Sequence, residues 1–184
     1  MRYTRTQRAL RLTVFSALLA AISIVFGKYL AFNAGEFIRF SFENLPILFA
    51  GMAFGPIIGA AVGAVADLIG CLLVGYAINP IITIGAAAIG AVAGIYHFLP
   101  EASSFRAHLL KISLTVFSAH LIGSVLIKSF GLSVFYDMPL IILMLWRLLN
   151  YVIVGTVEGF ILYHLMKNKR LVHEITGIMK GQNK

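Results

Sequence analysis

The chain has 184 residues, 60% of them hydrophobic and 12% charged, with a formal net charge of +8 and a mean hydropathy of +0.92. Soluble domains run at roughly 45–50% apolar and 25% charged, so an ordinary water-soluble fold is excluded. The basic residues gather at the chain ends and beside apolar runs, without an aromatic-interleaved basic surface, which excludes a nucleic-acid partner.

A full membrane span takes about 20 apolar residues. Six apolar windows stand out, at 10–31, 43–54, 56–74, 80–99, 109–130 and 139–166. They predict an all-α protein: one domain of residues 1–184, an integral membrane bundle of six transmembrane helices with a basic tail over 167–184. The basic start (Arg2, Arg5, Arg8, Arg11) runs into an apolar stretch too long for a signal core and without a clear cleavage site, so no cleavable leader is expected. The first window holds Ala17-xxx-Ala21 and Ser16-xxx-Ala20, small residues spaced for the close approach of a second helix.

The segment 33–44 is polar and irregular, and the second window is short: some twelve residues rise only about 18 Å. Irregular backbone is tolerated at membrane depth only where it lines a protein-walled cavity. Lys28, Arg39, Glu43 and Asn44 fall in this first outer loop, and Arg39, flanked by Ile38 and Phe40, is its candidate cation. In the third window Gly55, Gly59, Gly63, Asp67, Cys71 and Gly75 recur every fourth residue. The glycines predict helix packing. A carboxylate in a span costs roughly 2.5–3.5 kcal/mol on insertion scales, so Asp67 is expected to serve a site or to pair with a cation, Arg147 being the candidate. Cys71, the lone cysteine, excludes an internal disulfide and reads as a small packing hydrophobe.

Tyr76 and Asn79 follow in the next outer loop. The fifth window carries His120, Ser124 and Lys128 at spacings of four, with His120 readable as a packing residue or a ligand contact, and Tyr136 lies in the loop beyond. In the sixth, Arg147, Asn150, Val154 and Glu158 share a face. Arg147 and Asn150 are expected at the depth of Asp67, closing one outward-facing pocket. Glu158 is deeper and reads as a structural hydrogen-bonding group, and Gly155 and Gly159 as packing positions.

With six spans both termini share a side. Arg2, Arg5, Arg8, Arg11, Arg106, Lys111, Lys167, Lys169, Arg170, Lys180 and Lys184 lie there, eleven of the 15 Lys and Arg, which makes that side cytoplasmic. The tail reads as a loosely amphipathic surface segment near anionic lipid. The scattered histidines have no ligand spacing, so no metal is expected. No nucleophile elbow, phosphate-cradling loop or zinc-protease helix is present. The chain therefore reads as neither an enzyme nor an ATPase and calls for no cofactor. A small lipid-acting membrane enzyme would need paired carboxylates or a metal cluster near the inner interface, and a ligand-free scaffold would leave Asp67, Arg147 and Asn150 unexplained.

Three stretches, Ile38-Arg39-Phe40-Ser41-Phe42 with Leu45-Pro46, Ala50-Gly51-Met52-Ala53-Phe54-Gly55-Pro56 and Gly63-Ala64-Val65-Ala66-Asp67-Leu68-Ile69-Gly70, resemble the substrate-binding S components of energy-coupling factor (ECF) vitamin transporters, most closely the folate branch. The resemblance covers nearly the whole chain. It implies six helices, one vitamin held in the outer half of a prokaryotic plasma membrane, and a complex with a transmembrane T subunit and two cytoplasmic ATPases. It assigns Ala17 and Ala21 to T-subunit docking. The segment Gly75-Tyr76-Ala77-Ile78-Asn79-Pro80 is shorter than in folate binders, so pantothenate, a queuosine precursor or another vitamin stand as alternative ligands. Folate chemistry fits the residues: Asp67 can accept the paired donors of a pterin edge, while Arg39, Lys128 or Arg147 can hold the glutamyl tail. Phe40, Phe42, Tyr76, Tyr136 and Trp146 supply flat walls.

Overall fold

The computed structural model describes residues 4–34, 38–100 and 104–180. Helix α1 (Arg5–Ile24) starts five residues ahead of the apolar window, because Thr4 and Gln7 form a reciprocal capping box. It widens without a break into a π-helical turn, Val25–Tyr29. The segment expected to be irregular holds an antiparallel ribbon of two three-residue strands, β1 (Phe32–Ala34) and β2 (Ile38–Phe40). Among the described residues the other regular elements are helices.

Helix α2 (Asn44–Phe54) has 11 residues, and all except Leu45 are buried. A helix apolar on every side has no lipid or water face to present, so it sits at the centre, with Leu48, Ala50 and Met52 fully enclosed. At about 1.5 Å per residue it is about 17 Å long. Gly55 (φ +92°) breaks it, and Pro56 opens α3 (Pro56–Val74). Helix α4 (Pro80–Gly94) follows, capped by Asn79 and ending in a 3₁₀ turn, Ile95–Phe98. Helices α5 (Phe105–Ala119) and α6 (Ser129–Tyr136) are joined by a π-helical stretch, His120–Lys128, into one rod of 32 residues. This rod is longer than the expected 109–130, and Tyr136 ends it rather than lying in a loop. Helix α7 (Leu140–Lys167) closes the bundle. Five of these elements are long and apolar enough to cross a membrane, with α2 the shorter apolar helix between them.

The tail, read as a loosely amphipathic surface segment, is more ordered than that reading implies. It forms α8 (Lys169–Lys180), whose Leu171 and Ile175 pack against the same hydrophobic cluster as Leu12 of α1 and Met166 of α7. Its apolar side is used by the protein itself.

The glycine stripe acts as a packing seam. A Cβ on Gly90 would stand 2.0 Å from the Gly59 carbonyl oxygen, one on Gly63 2.2 Å from that of Ala86, and one on Gly51 2.3 Å from that of Gly90. The backbones of α2, α3 and α4 therefore touch, which only glycine allows. Gly159 differs from expectation, since a Cβ there meets nothing within 4 Å. Gly90→Ala should accordingly cost about 1–3 kcal/mol through overpacking, read as a lowered melting temperature in mild detergent. Gly159→Ala should leave that temperature unchanged.

Candidate functional site

Toward the end of the bundle away from the termini, α1, α3, α4 and the α5–α6 rod enclose a small cavity of ≈ 20 Å³. That is room for about one water molecule. Ile24, Ile47, Ala66 and Ala86 give it apolar walls, and Ser23, Lys28, Glu43, Asp67 and Lys128 give it polar ones. Two ammonium groups and two carboxylates in so small and apolar a space must find partners within the protein, because little water reaches them.

They do so in a definite pattern. Lys128, buried on the rod, donates to Glu43 Oε1 at 3.2 Å. Glu43 is fixed through its backbone: its N–H donates to Ser41 Oγ at 3.1 Å, and its carbonyl accepts from Ser23 Oγ at 2.6 Å. Ser41 Oγ in turn donates to the Phe26 carbonyl. Asp67, half-buried on α3, accepts from Thr83 Oγ1 at 2.7 Å. Lys28 lies on the π turn of α1, its stem against Gly70 and its Nζ 3.9 Å from Cys71 Sγ. The same ammonium stands 5.5 Å above the ring of Tyr76.

Of the residues singled out from the sequence, Asp67 and Lys128 meet in this cavity. The expected pairing of Asp67 with Arg147 is not observed: Asp67 takes a hydroxyl donor, and Arg147 donates from Nη1 to the Ser124 carbonyl at 3.1 Å. Arg147 does act on Lys128 through space, as do Asp67 and Glu43. Asn150 is buried on α7. Tyr76, Tyr136 and Phe42 are 58%, 49% and 40% exposed and are not among the residues that line the cavity. The side chain of Arg39 lies outside the described residues.

Two further expected site residues have their polar atoms engaged within the protein. Asn79 is a buried helix cap: its Oδ1 accepts from the N–H groups of Ile81 and Ile82, and its Nδ2 donates to the Gly131 carbonyl at 2.9 Å. Its amide is committed to joining α4 to α6. His120 is enclosed between α5 and α7, with Nε2 2.5 Å from Glu158 Oε2 and Nδ1 3.5 Å from Ser124 Oγ. Its ring stacks on Tyr151 at 4.3 Å and 18°, and the Tyr151 hydroxyl accepts from Asn44 Nδ2 at 3.4 Å. Glu158 makes a buried hydrogen bond, and His120 is its partner.

The sequence puts Lys28 and Glu43 in the first outer loop without marking them as site residues, and it does not single out Ser23 or Thr83. The signal for Thr83 was present, one helical turn after the cap Asn79 and on the face toward α3. The signal for Glu43 was the missing Cβ of Gly27, which becomes informative only in three dimensions.

Residues 11–166 match the family described as ECF transporter, substrate-specific component. The fold resembles the crystal structure of FolT bound with folic acid, with a TM-score of 0.68 and 26% identity, covering 87% of this chain and 95% of that one. The folate transporter FolT of Clostridium novyi is 32% identical over 60 residues, 33% of this chain and 34% of the relative. An uncharacterized protein of Mycoplasma pneumoniae is 35% identical over 72 residues, 39% of this chain and 25% of the relative. The chain thus spans about a quarter to a third of the length of these curated relatives.

The His120–Glu158 contact should be strongly coupled. Glu158→Leu alone leaves the imidazole without its buried partner and should cost about 3–5 kcal/mol. The double substitution His120→Leu/Glu158→Leu should cost less than the sum of the single ones. A double-mutant cycle on thermal unfolding in detergent measures the difference.

Proposed function

The chain belongs to the ECF transporter substrate-specific component family, and from that premise we propose that it captures folate for an ATP-driven importer. The single observation that carries the ligand reading is the cavity, where a carboxylate on α3 (Asp67) faces ammonium groups from α1 (Lys28) and the rod (Lys128) within a fold similar to a folic-acid-binding protein. A pterin edge presents paired N–H donors, suited to Asp67. The glutamyl tail presents carboxylates, suited to Lys128, with Arg147 and Arg39 further cations on the outer side. Phe42, Tyr76 and Tyr136 form the rim against which a flat ring system closes, and Asn150 supplies polarity from α7. A cavity of ≈ 20 Å³ is far below the roughly 300 Å³ of a drug-sized pocket, so admission requires the walls to part.

The proposed membrane arrangement has six crossings, α1, α2, α3, α4, the α5–α6 rod and α7, with α2 crossing only part of the bilayer. An even number puts both termini on one side. The Lys and Arg asymmetry makes that side cytoplasmic, in a prokaryotic plasma membrane, with the cavity in the outer half. The chain has no enzymatic role in this reading. Hydrolysis of ATP falls to two cytoplasmic ATPase subunits, coupled through a transmembrane T subunit. Ala17 is exposed on α1 beside an apolar groove of ≈ 350 Å³ walled by Leu12, Thr13 and Ser16 of α1 and Ile57, Ala61 and Val65 of α3. Ala21 continues the same small-residue face, which suits a docking helix.

Extraction of the purified protein and mass spectrometry should recover a pterin. Another vitamin would redirect the ligand assignment while keeping the transport role. Asp67→Ala should weaken folic acid binding by about 1–3 kcal/mol, leaving ring donors unpaired, as read by titration calorimetry in detergent. Unchanged affinity would remove Asp67 from the site.

A further inference from the structure

Lys128 is built into the wall: its side chain is 6% exposed, whereas that of its partner Glu43 is 25% exposed. The cation is fixed and the anion reaches it from the more open side. Glu43 belongs to the short link between β2 and α2, not to a membrane-spanning helix, so its position follows that link. Its carboxylate has a shaped seat. Oε1 takes the Lys128 ammonium, and Oε2 lies where a Cβ on Gly27 would come within 2.6 Å, so any side chain at Gly27 would evict it.

Among the residues lining the cavity, Lys28 and Lys128 contribute two positive charges and Asp67 and Glu43 two negative ones. A ligand carboxylate arriving at Lys128 would bring a third negative charge into an apolar enclosure, and ≈ 20 Å³ holds no carboxylate beside Glu43. Both space and charge are restored if Glu43 leaves as the ligand carboxylate enters.

We infer that Glu43 is an internal competitor, a tethered carboxylate that occupies the anion seat at Lys128 and is exchanged for a carboxylate of the ligand. This rests on the folate reading for the identity of the ligand, while the seat itself rests on geometry alone. The exchange makes Glu43 a determinant of specificity. A ring system without an anionic tail leaves the Lys128–Glu43 pair in place, whereas a tailed one must displace Glu43 before its own charge reaches Lys128, so the pair narrows the preference for tailed ligands. It also lowers the apparent affinity by the fraction of time the seat is self-occupied.

Glu43→Gln keeps the shape and removes the competing charge. By calorimetry in detergent its preference for folic acid over a pterin lacking the glutamyl tail should rise about tenfold, the gain expected if the pair is closed nine-tenths of the time. Lys128→Gln should lose that preference, and the double variant should follow Lys128→Gln. A Glu43→Gln protein that prefers folic acid no more than the parent overturns the inference. A second measurement needs no vitamin: sodium acetate, against sodium chloride at equal ionic strength, should raise the melting temperature of Glu43→Ala but not of Glu43→Ala/Lys128→Met. Equal responses overturn the seat. If the parent binds no folic acid, the folate reading falls and the acetate comparison alone decides the exchange. If Glu43→Ala does not fold, the Glu43→Gln titration decides it.

Discussion

A buried ammonium needs an anion, and much of the architecture around the cavity follows from satisfying Lys128. Inside a bundle with room for about one water molecule beside it, the charge cannot be solvated and must be paired. The partner comes from a link between a ribbon and a short helix, and that link is held by side-chain oxygens of Ser23 and Ser41. Both serines are themselves tied to the end of α1, Ser23 by position and Ser41 through the Phe26 carbonyl. One electrostatic requirement thus recruits the first helix, the ribbon link and the long rod into a single arrangement.

Rigidity on the other side of the cavity has a different source. Helices α2, α3 and α4 meet backbone to backbone along glycines, leaving no side chain between them to relax. Asp67 stands on this seam with Thr83 of α4 as its donor. The acid is therefore held on a seam of close backbone contacts and the competing carboxylate on a short link between ribbon and helix. That division is suited to a site in which one end of a ligand docks against Asp67 and the other displaces the more exposed Glu43.

Much of the fold was legible because apolar run length reports helices directly, and the breaks at Gly55-Pro56 and Asn79-Pro80 mark their ends. Asp67 and Lys128 were legible because charge is rare in such runs. What could not be read is partnership. Arg147 seemed the natural counterion of Asp67 from depth alone, yet helix rotation directs it to the Ser124 carbonyl. His120 and Glu158, 38 residues apart, are joined only by packing. Lys28 and Glu43 did not stand out from the first outer loop because the π turn that carries α1 onward and the glycine that makes room for Glu43 leave no periodic signature. The tail helix was underestimated because its few apolar residues matter only against the cluster they cover.

The wide helical turns of His120–Lys128 set the phase of everything beyond them. Nine residues wound this way present Lys128 to the cavity and, further on, place Gly131 where Asn79 can reach its carbonyl. In a regular α-helix each residue advances by about 100°, so removing one residue from this stretch would swing the ammonium toward lipid while leaving composition and hydropathy almost untouched. Chain length here is thus a determinant in its own right, and homologous sequences aligned through this region should be compared by residue count before they are compared by residue type.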